Sequence, residues 1–292
     1  MIEQFQLINT TTNVSIDFNM IFGPIWLESI IIGPVEGVDQ LYSIPGQDGE
    51  QVLSTYFNTR SVTITAWIVN NITSIEQQKR QLNKFCNPKQ PIDIIVDSYK
   101  LAFIPGSSIQ YSKNKKENNE VMCKFVIMGE AYFPFWTSQA EIESLISYVD
   151  PLWKFPFCIP NDGMVFSVNQ PTASTQIVNE SIPVGCRITF VSNGGILSNP
   201  GIICSETQEQ ISINKSLSDG EKIIIDTRIG HRKITGYTDK ELTYNAMQYL
   251  NKNSSWITLQ PGPNTFSFFA SSGIEFAEIS IAYSPLLLEV EN

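Results

Sequence analysis

The residues of this 292-residue chain best placed to do chemistry fall first in "LYSIPGQDGEQVLSTYFNTR", residues 41–60. Gly46 and Gly49 with Asp48 and Glu50 could cradle a phosphate, hold a metal or turn a corner, and Arg60 could meet an anion. A phosphate cradle needs glycines that lead into a helix N-terminus, where backbone N–H groups and the helix dipole face the anion. Here the glycines run into "EQVLSTYFNTRSVTITAWIV", which is strand-like. A calcium loop of the EF-hand type needs D-x-[DN]-x-[DN]-G, of which only Asp48-Gly49 is present. Pro45-Gly46 and Asp48-Gly49 are turn dipeptides between two strands. The stretch is expected to turn a corner, with Arg60 starting a core strand or meeting an acid.

Elsewhere the means for catalysis are thin. His231, in "DTRIGHRKITG", is the single histidine, so a multi-His metal site is excluded and any nucleophile–His pair would have to form around this one residue. It is expected to be an exposed structural residue in a turn. No GxSxG, HExxH or GxxxxGK[ST] occurs,. Paired carboxylates for glycoside cleavage need only meet in space. Asp39, Asp48, Glu50, Asp162, Asp219, Glu221 and Asp226 are possible members, yet most lie in glycine-rich turn contexts where such residues serve geometry. The five cysteines, Cys86, Cys123, Cys158, Cys186 and Cys204, are odd in number, scattered and never CxxC, which points to reduced, buried thiols and no zinc site. No catalytic, cofactor-binding or metal-binding residue is expected, and no cofactor.

Composition bounds the partners. Charged residues make up 16% of the chain and hydrophobic ones 42%, against a usual charged share of about 25%. A surface so poor in charge either faces another protein or is the neutral Asn/Ser/Thr-rich surface of a β protein. A net charge of −10 argues against duplex binding driven by phosphate contacts. The basic cluster Lys113, Lys115 and Lys116 sits among Asn and Glu and reads as a solvated hairpin tip. No apolar run approaches the roughly 20 residues that span a bilayer. The start "MIEQFQLINTTTNVSIDF" lacks a basic n-region, so synthesis and retention in a cytoplasm are expected.

The elements that must position these residues are mainly strands. "RSVTITAWIV" alternates, with Val62, Ile64, Ala66 and Ile68 on one face and Thr63, Thr65, Trp67 and Val69 on the other, as a strand packed on both sides would. "QFQLIN", "VSIDF", "IDIIV" and "CKFVIM" continue the habit. "TSIEQQKRQLNKFCNP" breaks it: Ser74 with Gln77 makes a capping box, Ile75, Leu82, Phe85 and Cys86 share a helical face, and Pro88 closes the segment. One helix near 74–86 is expected to cover an open end or face of a sheet. Ile142, Leu145, Ile146 and Val149, with Ser138 and Glu141 as capping pair, have the spacing of a second helix. Prolines at 134, 151, 156 and 160 suggest an extended inter-domain connection. Its aromatics Trp136, Trp153, Phe155 and Phe157 are expected to dock between domains or on a neighbouring subunit. From 161 onward, short β runs broken by Gly, Pro, Asn and Asp-Gly predict a sandwich or jelly roll. The expected layout is a β-sandwich or barrel-like domain at 1–135, a connection at 136–160 and a second β-sandwich at 161–292.

The order "IPGQDGE", "TRSVTITAWIV", "SIEQQKRQLNKFCNP", then "IDIIV" and "LAFIP", resembles the N-terminal domain of the siphophage distal tail protein family. "FPFCIP", "ITFVSNGGILSNPGIIC", "LSDGEKIIIDT", "WITLQPGPNTFSF" and "ISIAYSPLLLEV" resemble its galectin-like C-terminal domain. The resemblance implies a structural protein of the virion tail tip or baseplate, with the first domain in a homohexameric ring and the second as an attachment arm. It implies as partners the tail tube protein, a tail-associated lysin or tip protein, and receptor-binding or baseplate proteins, without sequence-specific nucleic acid or membrane. A galectin-type sugar constellation is not evident around His231 and Trp256. The competing classes are a carbohydrate-binding module and a tail-associated cell-wall hydrolase.

Overall fold

The computed structural model describes residues 5–18, 23–46, 48–70, 74–106, 108–118, 121–151, 167–171 and 174–290. Trp153, Phe155, Phe157, Cys158 and Asp162 lie outside the described residues. Two compact units emerge: residues 1–139 together with 287–292, and residues 140–286.

The first unit is built of antiparallel strands. These are β1 (Phe5–Asn9), β2 (Val14–Asp17), β3 (Ile25–Ile32), β4 (Gly37–Tyr42), β5 (Gln51–Phe57), β6 (Arg60–Val69), β7 (Ile92–Val96), β8 (Tyr99–Pro105), β9 (Gln110–Tyr111), β10 (Met122–Ala131) and β11 (Trp136–Ser138). Its main sheet runs β2-β1-β7-β8-β10-β6-β3. At the β8–β10 step only Gly129↔Pro105 and Glu130↔Ile104 pair, so the sheet turns there into two leaves that enclose one core. Val62, Ile64, Ala66 and Ile68 of β6 are buried in that core, as period-two alternation demands. The opposite face of β6 is only half-covered, a correction to the expectation of packing on both sides. There the Trp67 indole Nε1 donates to Glu28 Oε2 at 2.6 Å, and Lys124 lies over the Trp67 ring.

The helix α1 (Ile75–Phe85) starts where its cap predicts, with Ser74 Oγ accepting from the Gln77 N–H at 3.4 Å. Leu82 and Phe85 enter the core, and Gln78 Nε2 donates to the Val69 carbonyl at 3.2 Å, pinning the helix to the end of β6. Arg60, at the other end of β6, is the largest fully buried side chain among the described residues. Its guanidinium donates to the carbonyls of Gly33 at 2.8 Å, Pro134 at 3.1 Å and Leu288 at 2.9 Å, and pairs with Glu289 at 2.9 Å. One buried cation thus holds the departing chain near 134 and the returning chain near 288 on the same unit. Trp136 is buried in the first unit's core, so it is a core residue and does not dock at a domain boundary. A short strand at Leu286–Leu287 pairs with β11.

The second unit is a β-sandwich. A six-stranded sheet orders β12 (Ile142–Leu145), Ala277–Tyr283, Arg187–Ser192, Lys222–Asp226, Lys233–Tyr237 and Thr243–Asn245. A four-stranded sheet orders Thr175–Asn179, Gly262–Phe269, Gly201–Cys204 and Gln210–Ser212. Ile188, Phe190, Ile202, Ile223, Ile225, Phe266, Ile279 and Ile281 fill the space between. The helix expected from Ile142, Leu145, Ile146 and Val149 is absent. β12 pairs with Ala277–Tyr283, and Ser147–Pro151 pairs with Ser167–Pro171. Ile142 and Leu145 are exposed while Ile146 is buried, so the i, i+3 spacing was not a core stripe, and edge pairing to a formed sheet satisfied the backbone instead.

Candidate assembly surface

Among the described residues, those singled out for chemistry form no catalytic constellation, although His231 lies near enough to Asp226 to contribute to lowering it. His231 is exposed in the turn after Lys222–Asp226, its backbone N–H donating to the Arg228 carbonyl at 3.0 Å. Asp219 accepts from the Gly194 N–H at 2.6 Å. Glu221 pairs with Lys215 and accepts from Tyr244 Oη at 2.9 Å and the Ser218 N–H at 3.0 Å. Burial works to raise this carboxyl, but those donors together hold it below the usual carboxylate range,. Asp226 is likewise lowered against its burial by two bonds from the Arg228 guanidinium, at 2.9 and 2.6 Å. These carboxylates serve as structural acceptors. Burial pushes the Cys86 and Cys186 thiols up to about 12. Among the described residues no group of three or more His, Cys, Asp or Glu is placed to hold a metal ion.

The stretch 41–60 does turn a corner. Gly46 and Gly49 sit at φ +87° and +91°, in the left-handed region where a Cβ is strained. Nothing lies within 4 Å of where a Cβ would stand at either, so the glycines are needed for backbone geometry rather than for space. The turn joins β4 and β5 into a two-stranded ribbon that, among the described residues, pairs with no other strand. A register shift between Gln40 and Leu41 leaves Leu53 as an extra, bulged residue,.

The character of this ribbon is unusual for a surface. Val38, Tyr42 and Tyr56 fall on one face by register, and Leu41, Val52 and Phe57 on the other. Every residue of β5 is exposed, with Leu53 at 65% and Phe57 at 46%. Isolated two-stranded ribbons are marginal in water, and one that exposes apolar side chains on both faces awaits cover. At its base, Phe57 meets Phe135 edge-on at 5.2 Å, and Phe135 meets Phe133 at 5.2 Å. The acids of the stretch are exposed, and Thr55 Oγ1 donates to Asp39 Oδ1 at 2.5 Å. The apolar residues here escaped the sequence reading, which looked only at the turn. The signal was available in "QVLSTYF", whose apolar residues fall on both sides of a period of two.

The other exposed feature of the first unit is the outer side of α1. Arg80 and Lys84 project to solvent, and half-buried Lys79 reaches toward the loop before β10. Lys79 Nζ donates to Asn118 Oδ1 at 3.3 Å and lies 5.1 Å from the Tyr111 ring centroid. Tyr111 Oη donates to Asn83 Oδ1 at 3.1 Å. That loop is braced internally by Ser112 Oγ to Glu117 at 2.7 Å and Asn118 Nδ2 to the Ser112 carbonyl at 2.9 Å. It holds Lys113 and Lys115 exposed beside the helix.

Two families match the chain. The phage tail protein RIFT-related domain matches residues 25–127, and the C-terminal domain of the siphovirus-type tail component matches residues 181–285. No curated protein matches. Among solved structures, the Dit protein of phage SPP1, described as a paradigm of the hub adsorption apparatus in phages infecting Gram-positive bacteria, superposes with a TM-score of 0.66 at 12% identity, over 97% of this chain and 99% of that one. A chain of the phage P2 baseplate in its activated conformation superposes with a TM-score of 0.51 at 8% identity, over 97% and 98%.

Proposed function

The chain belongs to the siphophage distal tail proteins, structural components of the tail hub and baseplate, and on that premise we propose that it works as a homohexameric ring joining the tail tube to the adsorption apparatus. The observation that carries the ring is the β4–β5 ribbon. It is tied by its own ladder, exposes Leu41, Tyr42, Val52, Leu53, Tyr56 and Phe57, and lies within the part of the chain matched to a tail-protein domain. Covering such side chains is worth about 1.5–3 kcal/mol each, hence on the order of 10 kcal/mol gross per contact before the costs of ordering and association. A closed ring repeats that contact at every subunit.

The first unit supplies the ring, and the second, a galectin-like sandwich, is an arm on which receptor-binding or baseplate proteins dock. The tail tube protein and a tail-associated lysin or tip protein meet the ring. The role is structural rather than catalytic, which fits a second unit whose candidate carboxylates are engaged in structural bonds. Native mass spectrometry with negative-stain electron microscopy of the purified protein tests this. Six-subunit rings are expected, and a strict monomer at every concentration that binds host wall polysaccharide would overturn the reading.

A further inference from the structure

The charges of the first unit are sorted along the chain. No lysine or arginine precedes Arg60, while Glu28, Glu36, Asp39, Asp48 and Glu50 all do. Glu36 stands at the foot of the β4–β5 ribbon, Asp39 on it, and Asp48 and Glu50 at its tip, all exposed. The opposite sign gathers on α1 and the loop braced against it, at Arg80, Lys84, Lys113 and Lys115. Glu76 is the acid of the helix's first turn. Among the described residues, none of these four cations and none of the four ribbon acids forms an ion pair within the chain.

An apolar seat lies beside the cations. A groove of about 760 Å³ runs along α1, lined by Val14, Ile16, Ile25, Leu82 and Phe85, with Lys84 and Asp17 also among its lining residues. Val14, on its lining, is 52% exposed. The unit therefore carries an acidic apolar projection and, elsewhere on its surface, a basic face next to an apolar groove. A heterologous contact, the kind that closes a cyclic ring, requires two different and complementary patches on each subunit.

Resting on the ring reading above, we infer that the β4–β5 ribbon of one copy docks against the outer side of α1 and the groove beside it on the next copy. Asp48 and Glu50 then face Arg80 and Lys84. Apolar burial supplies the bulk of the contact, and the charges fix direction and register by making the reversed or slipped approach repulsive.

Charge reversal in pairs tests the docking directly. D48K/E50K and R80E/K84E alter exposed side chains, and thermal melts verify that each variant folds. Each variant alone is expected to lose ring assembly, with subunit affinity down roughly 100-fold, because like charges would face each other. An equimolar mixture should restore an alternating ring, since every ribbon then meets a helix of opposite sign, and the chain carrying all four substitutions should assemble by itself. The neutral pair D48N/E50Q, a milder check on folding, should weaken assembly about tenfold. Variants that assemble as well as the wild type, or a mixture that fails to recover, would overturn the docking while leaving the ring intact. A wild type that never leaves the monomer would overturn both.

Discussion

β5 and β6 are separated by only Asn58 and Thr59, yet they meet opposite fates. β6 alternates and buries Val62, Ile64, Ala66 and Ile68 between its own chain's sheet and helix. β5 has a comparable share of apolar residues and buries none. A strand's apolar pattern records the cover it will have in the working assembly, whether that cover comes from the same chain or another. Regular alternation in β6 matches a core with one inner face. The irregular apolar run of β5 leaves apolar side chains exposed on both faces of its ribbon.

That contrast can be broken at several strengths. Replacing Arg60 by leucine should have the largest effect. It leaves the carbonyls of Gly33, Pro134 and Leu288 without their donor, and at about 1–3 kcal/mol for each acceptor left buried and unsatisfied the loss is on the order of 3–5 kcal/mol, read as a lower urea midpoint. Ile64→Ala, at a fully buried position, should cost about 2–4 kcal/mol by cavity formation in the isolated subunit. Gly46→Ala should cost about 1–2 kcal/mol from left-handed backbone strain alone. Because the position is open, Gly46→Leu should cost no more than Gly46→Ala, which paired melts would reveal. Smallest for the subunit is Leu53→Ser, expected to shift monomer stability by no more than about 0.5 kcal/mol, while lowering ring yield in size-exclusion chromatography with light scattering. If Leu53→Ser destabilised the monomer as much as Ile64→Ala does, the ribbon would have its cover within its own chain, and the distinction between the two strands would collapse.

Much of the architecture was legible in the sequence because local chemistry dictated it. The Ser74 and Gln77 pair started the helix where its cap bond now lies, and the turn at Gly46 and Gly49 followed from backbone conformations few other residues tolerate. The failures share a physical cause. Ile142, Leu145 and Ile146 had helical spacing, but the partner that decided their conformation, Ala277–Tyr283, lies far along the chain. Trp136 looked like a docking aromatic because the core that takes it up is assembled from distant strands. Arg60 was expected at the start of a core strand or against an acid, and it meets both descriptions. Its grip on Leu288 and Glu289 could not be seen, since nothing local announces that the C-terminal residues return. The exposed ribbon was least legible of all, because nothing among the described residues buries the apolar side chains of β5.

The return of the chain to its first unit carries one more consequence. The second unit leaves at residue 140 and ends at 286, between β11 and the strand at Leu286–Leu287 that pairs with it. It is a cassette spliced into a single site whose two ends are neighbours, a place where insertions are well tolerated. A different sandwich with closely spaced termini could be exchanged at that site without altering a core residue of the first unit. The second unit could in this way change while the splice site and the first unit's core stay as they are.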